Sequence, residues 1–223
     1  AMFVIALWMV APLVLRRLTF FRVRQVELVG VRYLEVDRVL AVLRMSPRAS
    51  VFDDTEVLAE RLRALDGVAD ASVIRRPPAS LKLIVREIEP VALVANARGA
   101  LAVVDAAGRS LPFELGTLDL PVVQAGDSDE AVVGVLARVQ AFDPLLYQSI
   151  DAARRTESSR GAGDVVLELG THRVLLSPDA GPEVIQAVTL VARDLAAKRR
   201  SYIGLDGRFA GQVVVRRPPP SPP

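Results

Sequence analysis

Cysteine is absent from the 223 residues, and histidine occurs once, at position 172. Without thiols there is no disulfide, no thiol nucleophile and no cysteine-ligated zinc. A single imidazole excludes a multi-histidine metal centre, and His172 reads as a surface residue in a turn between two strand-like runs. Lysine is nearly absent as well: of 28 basic residues only Lys82 and Lys198 are not arginine, and the net charge is only +2. Phe, Tyr and Trp make up 5% of the chain, and the arginines are scattered rather than gathered on one stretch. A nucleic-acid footprint needs clustered basic residues with aromatics between them, so that class is set aside.

Catalytic signatures are missing too. There is no G-x-S-x-G, no H-E-x-x-H and no phosphate-binding glycine loop followed by lysine. Gly161-Ala162-Gly163 reads as a plain loop. The adjacent Asp53 and Asp54 are explained by a helix N-cap. Glu87 and Glu89, at a strand end, read as solvated edge charges, and Asp206 and Arg208, two apart on a strand, as a local ion pair. The expectation is a protein with no catalytic residues, no cofactor, no metal and no small-molecule substrate.

What is present begins with an apolar run. Ala1 to Leu15, AMFVIALWMVAPLVL, carries no charge. As a helix it spans about 22 Å, short of the roughly 30 Å of a bilayer core. Arg16 and Arg17 can snorkel, and Leu18, Phe20 and Phe21 extend the apolar character. Residues 1–21 therefore read as a transmembrane anchor. It is either short with snorkelling arginines or part of a longer stretch, and an initial Ala rather than Met favours the second. A cleaved leader is disfavoured because no small-x-small site follows, and a buried core helix because of Pro12 and the unbroken apolarity. The positive charges after the run would place the following domains in the cytoplasm by the positive-inside rule, opposite to the placement adopted below.

Residues 22–90 read as one folded unit. Val23, Val26, Leu28 and Val29 form a strand-like run ending at Gly30. Glu35 to Arg44 has helical spacing, with Val36, Val39, Leu40 and Leu43 on one face. Asp53 or Asp54 caps a second helix whose apolar face is Val57, Leu58, Leu62 and Leu65. Ala71 to Arg76, the Pro77-Pro78 turn and Leu81 to Glu87 then read as a hairpin, with Leu81, Leu83 and Val85 on its buried face. The order is β-α-α-β-β.

Residues 91–217 read as a mixed α+β domain with an antiparallel-rich sheet. Its strands are Val91 to Val94, Leu101 to Asp105, Asp164 to Leu169 and Arg173 to Leu176, and Leu120 to Val123 follows the second of them after a polar loop. Asp105 to Gly108 is a tight turn. Ala131 to Gln140 is helical, with Val132, Val135, Leu136 and Val139 inward, and Pro144 to Ile150 forms a short helix or turn. Glu183 to Arg199 is a long amphipathic helix carrying Val184, Ile185, Val188, Leu190, Val191 and Leu195. The closing phrase YIGLDGRFAGQVVVRR supplies two more strands, and 218–223 is a proline-rich tail read as disordered.

These phrases, in this order, resemble the FtsQ/DivIB family of bacterial cell-division proteins. The first unit resembles a POTRA domain. The family's V-x-R-x-x-P, L-x-I-x-V-x-E-x-x-P-x-A pattern is matched by Val73, Arg75, Pro78, Leu81, Leu83, Val85, Glu87, Pro90 and Ala92. Its L-V-D-x-x-G and L-P-x-I-x-G phrase is matched by Val104, Asp105, Gly108, Leu120, Pro121 and Gly126. The final strands match at Asp206, Arg208, Phe209 and Gln212 to Arg216, with Gly207 where the family prefers Leu. That glycine marks an expected bulge or close backbone approach.

The resemblance implies a single-pass protein of the cytoplasmic membrane with its folded part outside the cytoplasm. It implies a non-enzymatic divisome scaffold that binds FtsB/DivIC-type and FtsL-type bitopic coiled-coil partners and helps control septal peptidoglycan synthesis. The POTRA domain is expected to meet other divisome membrane proteins. A terminal strand with an open edge can accept a partner strand. The family's partner-binding surface includes these last strands, so the resemblance implies partner-binding residues at Phe209, Gly211, Gln212, Val213, Val214, Val215 and Arg216. The alternative is a POTRA-containing transport or secretion component of the envelope. Such proteins carry a many-stranded barrel after the POTRA unit, which the remaining residues do not supply.

Overall fold

The structure is a computed structural model that describes residues 18–95, 99–124, 129–156, 163–209 and 211–218. The expected anchor at 1–21 lies outside the described residues up to position 17, as does the tail at 219–223. No helix among the described residues is long and apolar enough to cross a membrane. The chain is mixed α+β and divides into two compact units. Of the described residues, those up to 88 with Pro112–Glu114 form unit one, and those of 89–111 and from 115 onward form unit two.

In unit one the elements run β1 (Gln25–Val29), α1 (Val36–Leu43), α2 (Thr55–Arg63), β2 (Val68–Arg76) and β3 (Ser80–Glu87). The sheet order is β1-β3-β2, with β1 parallel and β2 antiparallel to the central β3. Leu81, Leu83 and Val85 of β3 are buried, as the alternation requires of a half-buried strand. Asp54 caps α2, its carboxylate accepting the Glu56 N–H at 2.9 Å. Asp53 instead accepts the Ser50 N–H at 2.8 Å. On α1 only Val39 and Leu43 are buried, while Val36 and Leu40 are exposed. The apolar stripe read from spacing is thus wider than the face the fold uses.

Gly30 closes β1 at φ +90°, and a Cβ there would stand 2.1 Å from the Val85 carbonyl oxygen. Only glycine permits that backbone approach. Glu87, expected to be a solvated charge, is a structural acceptor. Its carboxylate takes the N–H groups of Arg32 at 2.8 Å, Tyr33 at 3.0 Å and Leu34 at 2.8 Å. It thereby satisfies the backbone leading into α1, which no regular element could pair.

Unit two is a nine-stranded sheet of order β12-β11-β10-β9-β8-β7-β4-β5-β6. The strands are β4 (Ala92–Ala95), β5 (Leu101–Val104), β6 (Ser110–Leu111), β7 (Val122–Val123), β8 (Ala152–Thr156), β9 (Asp164–Leu169), β10 (His172–Leu176), β11 (Gly204–Phe209) and β12 (Gln212–Arg216). The helices are α3 (Asp129–Phe142), α4 (Pro144–Gln148) and α5 (Pro182–Ala197). Pairs β4–β7, β7–β8 and β10–β11 are parallel and the others antiparallel. Two of the parallel pairs follow from helical crossovers, β7 to β8 through α3 and α4 and β10 to β11 through α5.

Val132, Val135, Leu136 and Val139 of α3 and Ile185, Val188 and Leu195 of α5 bury into one core with β9, β10 and β11. Leu190, expected on the inner face of α5, is exposed. It lies two residues, or about 200° of helix rotation, from Val188. At the start of the sheet, the Tyr147 hydroxyl donates to the Val91 carbonyl at 2.7 Å, and Gln140 Nε2 donates to the Pro90 carbonyl at 3.0 Å. Asp105 organises the β5–β6 turn by accepting the N–H groups of Ala107 and Arg109, both at 2.9 Å. Burial alone would raise its pKa, but those bonds and the Arg109 guanidinium outweigh it and hold the carboxyl below its ordinary value.

Candidate functional site: the terminal hairpin and its free edge

Strand β12 sits at one end of the nine-strand order and pairs with β11 alone among the described strands. Its register is Gly204 to Arg216, Leu205 to Val215, Asp206 to Val214 and Phe209 to Gln212, with a shift between Asp206 and Phe209. That irregularity falls at Gly207. A Cβ on Gly207 would stand 3.1 Å from methyls of Leu176, Val184 and Val188. The branched side chains of β10 and α5 fill the space that a larger residue would claim. In this chain the glycine therefore reflects close packing of α5 on the sheet.

Along β12 the side chains alternate. Val213 and Val215 pack against the core cluster, while Gln212, Val214 and Arg216 face out. Val214 is 44% exposed and Phe209 36% exposed. The Arg208 guanidinium carbon lies 5.9 Å from the centroid of the Phe209 ring, within cation–π range. Gly211 takes φ +70° in the turn joining the two strands. The seven residues expected from sequence thus lie on one hairpin, six of them in or next to the edge strand and Phe209 at the end of its neighbour.

The hairpin is braced by an ionic network that sequence reasoning saw only in part. Asp206 is 2% exposed. It accepts from Arg208 Nε at 2.7 Å and Nη2 at 2.6 Å, and from Arg216 Nη2 at 2.9 Å. Arg208 also donates Nη1 to Asp164 at 2.5 Å. The expected Asp206–Arg208 pair is therefore the middle of a chain that joins β12, β11 and, across β10, β9. Hydrogen bonding from Arg208 outweighs burial and, with Arg216, lowers the Asp206 pKa from 3.8 to about 2. In turn the hydrogen bonds to Asp206 first and Asp164 second raise that of Arg208. Asp164 lies 44 residues upstream, so no local pattern could have revealed it.

His172, at the start of β10, stacks on Tyr202 with ring centroids 4.3 Å apart. Among the described residues no cluster of three acidic or histidine side chains could hold a metal ion. What the hairpin offers is an exposed strand edge, an apolar rim of Phe209 and Val214, and two arginines held in place.

No family model matches the chain. Among curated proteins it is 28% identical over 200 residues to the cell division protein FtsQ of Paracoccus denitrificans, covering 88% of this chain and 57% of that protein. It is 27% identical to FtsQ of Cereibacter sphaeroides, covering 82% and 59%. The chain thus spans less than two thirds of the length of those two relatives. A solved extracytoplasmic domain of the division protein DivIB from Geobacillus stearothermophilus aligns with a TM-score of 0.36 and 17% identity over 52% of this chain and 98% of that one, a likeness too slight to weigh. FtsQ of Rhodothermus marinus is 32% identical over 221 residues, covering 87% of this chain and 77% of that protein. On that relationship the chain belongs to the FtsQ family of cell division proteins.

Proposed function

We propose that this chain is a non-enzymatic scaffold of the cell-division machinery that captures a partner strand on β12. In this reading residues 1–21 anchor it in the cytoplasmic membrane. Residues 22–90 act as a POTRA module and 91–217 as the partner-binding domain, both outside the cytoplasm. The partners are the bitopic coiled-coil proteins of the FtsB/DivIC and FtsL types, and through them the chain influences septal peptidoglycan synthesis. The POTRA module meets other membrane proteins of the divisome.

The observation that supports this reading most is the division of labour within β12. Val213 and Val215 hold the strand to the core, leaving its outer edge and Val214 for another chain. Main-chain bonds along such an edge supply affinity, and the side chains that alternate out supply selectivity.

The test measures binding of the full chain, in nanodiscs, to the extracytoplasmic segment of the same organism's FtsB/DivIC-type protein. Phe209→Ala is expected to weaken binding about tenfold, or ~1.4 kcal/mol, as for an aromatic anchor at the rim of an edge. Adjacent residues of a strand direct their N–H groups to opposite sides. Of Val213→Pro and Val214→Pro, one should therefore abolish binding while amide protection of the β11–β12 pair persists. Equal affinity for wild type and all three variants would sink the edge-pairing idea.

A further inference from the structure

The stretch that follows the apolar run is built into unit one. A 3-10 turn covers Thr19–Phe21. The Phe21 carbonyl accepts from the Val51 N–H at 2.9 Å and the Ser50 hydroxyl at 3.2 Å. The Val23 N–H donates to Ala49 at 2.9 Å and the Arg24 N–H to Ala79 at 2.8 Å. The Phe21 ring meets Phe52 edge-on at 5.0 Å and Phe20 at 5.1 Å. The chain is thereby fixed to one end of the unit, the end that also carries the Pro77–Ala79 turn between β2 and β3.

At that end, side chains that ordinarily seek cover stand open to solvent: Phe20 is 61% exposed and Leu18 46% exposed. The same end carries Arg22 and Arg24 on the fixed segment, Arg48 next to Ala49, and Arg75 and Arg76 at the end of β2, Arg75 donating to the Val51 and Asp53 carbonyls at 3.1 Å each. Among the described residues Arg22, Arg24 and Arg48 enter no ion pair. The nearby acids are turned to their own backbone, Asp53 to the Ser50 N–H and Asp54 to the Glu56 N–H. The result is an exposed apolar tip on a segment where the guanidinium groups of Arg22, Arg24 and Arg48 stand outside any ion pair among the described residues.

We propose that this end of unit one, through Leu18 and Phe20 and the surrounding arginines, rests on the membrane surface and binds anionic lipid headgroups. The inference depends on the reading of the apolar run as a membrane anchor. From Leu15 to Leu18 there are three residue steps, at most about 10 Å of chain. With the run in the bilayer, the fixed segment leaves no slack, so its tip lies at headgroup depth. Aromatic and aliphatic side chains partition into that zone, and arginines bind its phosphates. The opposite end, at Asp66 and Val68, lies a nine-residue strand away, about 27 Å.

The native chain has no cysteine, so single-cysteine labelling is unambiguous. Thr19→Cys, Asp66→Cys and Val10→Cys are each made in the full chain and labelled with an environment-sensitive fluorophore. Thr19→Cys and Asp66→Cys are reconstituted in phosphatidylglycerol-containing vesicles doped with headgroup nitroxide lipids, and Val10→Cys in the same vesicles doped with acyl-chain nitroxide lipids. The Thr19 label should be quenched about threefold more than the Asp66 label, and replacing Phe20 by Ser should roughly halve that difference. In wholly zwitterionic vesicles the Thr19 quenching should fall by about half. If Val10 is quenched and Thr19 behaves like Asp66, the anchor stands and the surface contact is wrong. If Val10 is not quenched, the anchor reading fails and takes this inference with it.

Discussion

The two units hold their sheets together by different means. Beside its apolar core, unit one relies on constraints at single points of its backbone. Gly30 lets β1 lie against the Val85 carbonyl, and Glu87 gathers three consecutive N–H groups of the loop before α1. Unit two relies on side chains: a continuous apolar core under α3 and α5, and on the terminal strands the network of Asp164, Arg208, Asp206 and Arg216. Backbone constraints tolerate almost no substitution at one position. A distributed core and network lose stability in smaller steps. The difference suits a first unit fixed in shape and, on the proposed function, a second whose outermost strand stays open to pairing.

Three changes would break or sharpen this contrast, each read by amide hydrogen exchange resolved along the full chain. Gly30→Ala should have the largest effect, about 3 kcal/mol or more, because the Cβ meets backbone at a left-handed φ. Protection should be lost in β1 and β3 and kept in unit two. Simultaneous loss in both units would show that they are energetically one.

Glu87→Ala should cost about 2 kcal/mol in unit one, leaving three N–H groups without their carboxylate, and Glu87→Gln should recover part of it. No change would mean that water replaces the carboxylate fully. Asp206→Asn should cost ~2 kcal/mol, confined to the β11–β12 hairpin. The folded pKa of Asp206 lies below its ordinary 3.8, at about 2. Its contribution is therefore complete above about pH 4 and fades as pH falls through 2. The hairpin of the native chain should lose protection across that window, and Asp206→Asn should flatten the dependence. An unchanged acid profile in the variant would assign the loss to other carboxylates.

Where one face of an element met the core, the sequence was read well: Leu81, Leu83 and Val85 on β3, and Val132, Val135, Leu136 and Val139 on α3, are buried as their periods indicate. Where partners come from afar, it was not. Strand β8, Ala152–Thr156, carries no apolar alternation because its residues are small or charged, yet it lies between β7 and β9 with Ala153 fully buried. Glu87 looked like a surface charge because its partners are more than fifty residues upstream. At the candidate site, the final strands and the outward Val214 followed from the QVVVR alternation. Asp164 and the close packing around Gly207 depend on tertiary neighbours that no local window contains.

Strand β11 meets the rest of the sheet through a short parallel register, Arg173 to Gly204, Val174 to Leu205 and Leu175 to Asp206. Ladder bonds this few resist being pulled apart weakly, yet any tension applied to a chain paired on β12 must pass through them. The Arg208–Asp164 contact spans that junction and carries load in parallel with it, and α5 clamps it from above through Val184 and Val188 beside Gly207. In mechanical terms the brace adds resistance to a seam that would otherwise peel one bond at a time, so a partner strand paired there, as proposed, could transmit force without unzipping its holder.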